Sequence, residues 1–358
     1  MTGLPGPFPC TGVGSLPHLD PRTAVAEVLS RFREIPFWPQ LPRRTPLEHM
    51  YPQYAAALPG ASVVGERMTM KSGEELLPDA EAFYGTFLSG DLSPFAVPAE
   101  RAAGLHALLT EGAGPFPAVK GQMTGPVSFG LMVCDREKKP AFHDPVGRDV
   151  LVKYLLRVAQ WQADQLRRLS GTVILSLDEP YLASVGSAIV SLPREEVIAA
   201  LDEIFSGLPG VLCGIHCCAN TDWGLVLASK VGYLSFDAYE YADSLLLYPE
   251  EVSSFLARGG ALAFGVIPTA REAIAAETPE SLADRMEGIL DRYDSRGIPR
   301  EAAARAAVIT PACGLGTLPE ESAERALRLT VELSALLRTR YGRPLRSAPF
   351  LGQTPTRK

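Results

Sequence analysis

Short apolar runs of strand length alternate with amphipathic stretches of helical length along most of this 358-residue chain. The runs are FPAVK (116–120), TVILSL (172–177), VLCGIH (211–216), GYLSF (232–236), ALAFGV (261–266) and AVIT (307–310). The segments 147–168, 195–206, 249–258, 279–293 and 320–341 read as helices; in the last, Leu327, Leu329, Leu333, Leu336 and Leu337 fall at helical spacing. Parallel strands need crossover connections, most often helical, so this alternation predicts a parallel sheet with helices outside it. A strand ending at Gly14-Ser15, a helix at 21–33 and a strand around 61–65 bring the strand count close to eight. That count favours an α/β fold of the (β/α)8 TIM-barrel type over an open doubly wound sheet. Such barrels take roughly 250 residues, and more with insertions. Residues 1–358 therefore read as a single domain with an elaborated N-terminal region, and 36–98 are expected to form long rim loops and insertions.

Composition removes several classes of function. The 34 Lys and Arg against 41 Asp and Glu give a net charge of -7, with no block of like charges, which excludes nucleic acid and anionic membrane as main partners. No apolar run approaches the roughly 20 residues of a membrane span. The opening MTGLPGPFPCTGVGSLPH lacks the basic start and apolar stretch of a signal peptide, so the expected address is cytoplasmic. Six cysteines are too few for a disulfide scaffold, but three of them, Cys213, Cys217 and Cys218, crowd around His216, and Cys313 sits in a Gly-flanked turn. That distribution points to metal or thiol chemistry.

In a barrel, chemistry gathers at the C-terminal ends of the strands. Gly14-Ser15, Lys120 to Pro126, Asp178-Glu179-Pro180, His216-Cys217-Cys218, Asp237 with Glu240, and Cys313-Gly314 all fall there. Residues two apart on a strand share a side, so His216 and Cys218 can face one cavity while Cys217 points away. Imidazole and thiolate are preferred ligands of Zn2+, and Cys313 on another strand end can supply a third. Asp237 and Glu240 are candidates for a fourth. A Cys2His set with an exchangeable position is catalytic in type, since structural zinc sites are usually closed by four protein ligands. Asp178 and Glu179 end an otherwise apolar strand, which is costly unless each meets a cation or a helix N-terminus. Asp178 could hold a substrate ammonium group. Trp38, His18, His49 and His143 are structural or rim residues.

The strings VGSLPH (13–18), KGQMTGPVSF (120–129), LSLDEPYL (175–182), HCC (216–218) and TPACGLGTL (310–318) occur in one order, and together they resemble the catalytic C-terminal half of cobalamin-independent methionine synthase. That family belongs to a barrel superfamily with uroporphyrinogen decarboxylase and zinc-dependent methyltransferases. The resemblance implies His216, Cys218 and Cys313 as zinc ligands, with Asp237 where the family has a glutamate ligand. It places Asp178, with Glu179 beside it, at the amino group of homocysteine, and Ser15 in contact with the same amino acid. The implied reaction is methyl transfer to a thiolate, giving methionine.

The chain also departs from the family. It has the length of one barrel, not two. Leu131 and Met132 stand where a folate-stacking tryptophan is expected, and the histidine expected after the seventh strand is absent from FGVIPTAREAIAAETPE. These losses favour a methylcorrinoid, free or on a partner corrinoid protein, over methyltetrahydrofolate as methyl donor. Trp38, Tyr51 and Tyr54 are expected to offer it apolar contact. Two alternatives compete: a metal-free decarboxylase of the uroporphyrinogen type, which leaves the His and Cys pattern unexplained, and a non-catalytic zinc- or corrinoid-binding accessory protein.

Overall fold

The computed structural model describes residues 3–64, 67–187 and 190–341. Six parallel strands form one curled sheet in chain order: β3 (Val119–Thr124), β4 (Val173–Asp178), β5 (Val211–Cys217), β6 (Tyr233–Phe236), β7 (Ala261–Ile267) and β8 (Ala307–Pro311). The two remaining strands, β1 (Ala61–Val64) and β2 (Arg67–Met70), pair antiparallel with each other, outside this sheet.

Two extended segments close the sheet on itself. Thr11 N donates to Ile309 O (3.1 Å) and Ile309 N to Pro9 O (2.8 Å), which docks residues 9–11 on β8. Gln40 N donates to Gly14 O (3.1 Å), and Leu16 N returns a bond to Gln40 O (2.9 Å). Ala118 N donates to Glu34 O (3.0 Å) and Lys120 N to Pro36 O (2.9 Å), completing the ring to β3. The expected TIM-barrel architecture is present. Its second barrel strand, however, is the Pro-rich stretch 34–40, expected to be loop, and the segment expected at 61–65 is instead the first arm of the outer hairpin. The reason is local. Pro36 and Pro39 lack N–H groups, so this stretch accepts ladder bonds but cannot return them at every position.

A fully buried side chain reinforces that closure. Lys120 Nζ donates to Val13 O (2.6 Å) and to Gln122 Oε1 (3.3 Å). Burial lowers its pKa to about 8, and the nearby Asp178 carboxylate opposes the shift.

Long helices cover the outside, including Pro145–Leu166, Arg194–Ser206, Pro279–Ser295 and Glu320–Tyr341. Their starts follow from sequence. Asp144 caps the first through Val146 N (3.2 Å), and Thr278 with Ser281 forms a reciprocal capping box ahead of Pro279. Ile35, Ala118, Ile174, Tyr233, Ala261, Ala263 and Val308 form a separate buried cluster contributed by strand residues around the ring. Among the described residues, no helix is long and apolar enough to cross a membrane.

Candidate metal centre

The parallel register sets the site. Asp178 on β4 pairs with His216 on β5, and His216 pairs with Ser235 on β6. His216, Cys218 and Cys313 offer ligand atoms that all lie within 4.8 Å of one another. Cys217, the residue between them, is buried in the apolar core with its thiol on Ala219 O (3.6 Å), and burial pushes it up to about 12. The two-residue periodicity of a strand end therefore sorts the three side chains, as the spacing predicts.

The imidazole is held from behind. His216 Nδ1 and Ser235 Oγ are 2.9 Å apart, both residues are buried, and among the described residues the buried His216 Nε2 has no hydrogen-bond partner. With Nδ1 carrying the proton and donating it to Ser235, Nε2 keeps its lone pair for a metal. Ser235→Ala should weaken zinc binding by about 10- to 100-fold, as loss of an outer partner of a ligating histidine typically does. Competition against a chromophoric chelator measures this; unchanged zinc affinity would show that the hydroxyl does not orient the ring.

The thiols differ in environment. A hydrogen bond from the Cys313 thiol, followed by the neighbouring His216 ring, stabilises the Cys218 thiolate and holds its pKa well below the ordinary thiol value. That same contact and burial hold Cys313 well above its ordinary value. A soft divalent cation would relieve this competition by accepting both sulfurs as thiolates. Gly314 lets the Cys313 turn approach: a β-carbon there would sit 2.2 Å from Ser15 Oγ.

The trio opens into a cavity of about 690 Å³ that Val13, Ser15, Gln40, Asp178 and Gly316 also line. Among the described residues the buried Asp178 Oδ1 has no hydrogen-bond partner, and desolvation raises the carboxyl to about 6, against the pull of His216 and Lys120. Glu179 goes elsewhere. It is fully buried, and its carboxylate accepts from Val127 N (2.9 Å) and Ser128 N (2.7 Å) at the start of the Pro126–Met132 helix. Of the two adjacent acids, Glu179 thus takes the helix N-terminus, and Asp178 lines the cavity. Ser15 lines the cavity, with its Oγ accepting from Gly316 N (3.2 Å). Asp237 lies outside the trio; its Oδ1 accepts from Tyr239 N and Glu240 N, both at 2.9 Å, in the turn after β6. Glu240 is exposed.

Trp38 and Tyr54 are not available at the rim. Both are buried, Trp38 donating to Gln162 Oε1 (2.9 Å) and Tyr54 to Gln122 O (2.9 Å), which leaves Tyr51 as the half-buried aromatic of that set. Met132 is exposed and accepts from Tyr181 Oη at 3.4 Å. Gln40 was not anticipated. Its Nε2 donates to Gln53 Oε1 (2.7 Å) and Tyr54 Oη (3.3 Å), which orients the amide of a residue that lines the cavity. His49 also lines the cavity, and His18 is buried.

No family model matches the chain, and no curated protein sequence does. Solved structures do match. A B12-independent methionine synthase from Shewanella sp. W3-18-1, in complex with selenomethionine, superposes with a TM-score of 0.56 at 15% identity, covering 93% of this chain and 98% of that one. This chain shares the fold of that structure. A Listeria monocytogenes protein assigned as a vitamin-B12-independent methionine synthase gives 0.57 at 13% identity, with 93% and 98% coverage. A methyltransferase from Methanosarcina mazei gives 0.52 at 12% identity, with 94% of each chain covered.

Proposed function

We propose that this chain is a zinc-dependent methyltransferase with a thiol acceptor, homocysteine, and methionine as product. The observation that carries this reading is the buried, unpartnered Nε2 of His216 facing two cysteine sulfurs, with Asp178 on the adjacent strand lining the same cavity. Two sulfurs and one imidazole nitrogen are a preferred zinc set, and the Ser235 contact suits a metal-ligating histidine. Bound zinc would lower the pKa of the acceptor thiol, and two thiolate ligands would keep the acceptor sulfur electron-rich.

The chain's own groups do the rest. Asp178 receives the acceptor ammonium. Asp237 keeps its Oδ1 on the turn amides and leaves the fourth ligand position to the acceptor. The uroporphyrinogen-type decarboxylase reading is weaker, since it gives the His and Cys trio no task.

The donor follows from the rim. A folate needs a stacking surface for its pterin, and Leu131 and Met132 occupy the positions where the family carries that tryptophan. A methylcorrinoid brings its methyl group already activated on cobalt and needs only an open mouth above the trio. Zinc-loaded protein with homocysteine should therefore turn over methylcobalamin at least about tenfold faster than methyltetrahydrofolate at equal concentration, roughly 1.4 kcal/mol of transition-state preference. Comparable rates would refute the corrinoid donor; no transfer from either donor would refute the methyltransferase reading.

A further inference from the structure

The cavity is charged unevenly. Asp178 lines it, and among the described residues Arg43 is the one arginine or lysine that does. Glu48, the second lining carboxylate, is ion-paired with Arg44. Arg43 follows the closing segment 37–40, and its Nη2 donates to Thr317 O (3.2 Å) in the loop after β8. That bond uses one of five N–H donors and ties the guanidinium to Thr317, which also lines the cavity. Round the ring, residues 9–11 adjoin β8 and the 37–40 segment lies between residues 14–16 and β3, whereas Asp178 stands on β4 beside β5. Acid and cation thus come from different elements of the barrel and line one cavity.

We infer that Arg43 receives the carboxylate of the acceptor, so that the site selects free α-amino acids bearing a thiol. This rests on the thiol-transfer reading above and adds the third point of recognition. Sulfur goes to the trio, ammonium to Asp178 and carboxylate to the mouth. Three fixed points define the handedness and chain length of the acceptor, which a thiol and an amine alone do not. Arginine suits the task because its planar fork matches a carboxylate with two parallel N–H donors. An anionic group on the methyl donor is the other source of the same chemistry, and the experiment separates the two.

Zinc-loaded full-length protein is titrated calorimetrically with homocysteine and with 3-aminopropane-1-thiol, which keeps thiol and amine but lacks the carboxylate. Wild type, Arg43→Gln and Arg43→Lys are compared, and the donor KM is measured for each. Arg43→Gln is expected to weaken homocysteine about tenfold, leave 3-aminopropane-1-thiol and the donor KM unchanged, and be partly rescued by Arg43→Lys. Equal weakening of both thiols would overturn the inference by making Arg43 a shaper of the rim. Unchanged homocysteine binding with a raised donor KM would overturn it by assigning the guanidinium to the donor. Wild-type protein that binds neither thiol would refute the thiol-transfer reading itself.

Discussion

Replacing Cys313 or Cys218 by Ser should cost at least about two orders of magnitude in zinc affinity. Zinc sites of four ligands bind with about 10–16 kcal/mol, so one ligand carries roughly 2.5–4 kcal/mol, and a hydroxyl is a far poorer zinc ligand than a thiolate. The barrel should survive, because both side chains are only partly buried and neither belongs to the apolar core, unlike Cys213 and Cys217. Metal content after dialysis, read beside a thermal melt, checks the two halves together. Full zinc occupancy in Cys313→Ser would remove the residue from the ligand set. Unfolding with metal loss would show that the ion is structural.

Asp178→Asn should leave zinc content near wild type and raise the homocysteine Kd about a hundredfold, roughly 2.7 kcal/mol, the scale of losing one partner of a buried charged pair. The same carboxyl predicts a pH dependence. Its pKa is raised to about 6 by burial, so protonation as pH falls through that value removes the negative partner of the ammonium. kcat/KM for homocysteine should therefore stand at half its plateau near pH 6, level off about one unit above, and fall about tenfold per unit well below it. The Asn variant should lose that limb. Zinc loss in Asp178→Asn would instead make Asp178 a ligand, and an unchanged acid limb would assign the titration to another group.

The pairing of Asp178 with Glu179 shows how far local chemistry carries. Two acids ending an apolar strand announce that each needs a partner, and the alternatives of helix N-terminus and cation can be written from sequence. Which acid takes which partner depends on the helix that starts at Pro126, whose amides stand under Glu179 and not Asp178. The His216, Cys218 and Cys313 grouping was legible for a simpler reason: strand ends of a parallel barrel share one rim, and alternate residues share one side.

Strand–helix alternation, the short apolar runs and the strand-end placement of the trio are properties of periodicity, so the sequence alone determined the barrel and the grouping of His216, Cys218 and Cys313. Ser235, Gln40 and Arg43 carry no such signal. A serine in an apolar strand, a glutamine between prolines and an arginine in a loop become functional candidates only when register sets Ser235 behind His216, an amide network turns Gln40, and barrel closure brings residue 43 to residue 317. The closing strand at 34–40 was hidden for the same reason. Its prolines erase the local β pattern, and its bonds are made by β3 and residues 14–16, partners distant in sequence that only the folded ring supplies.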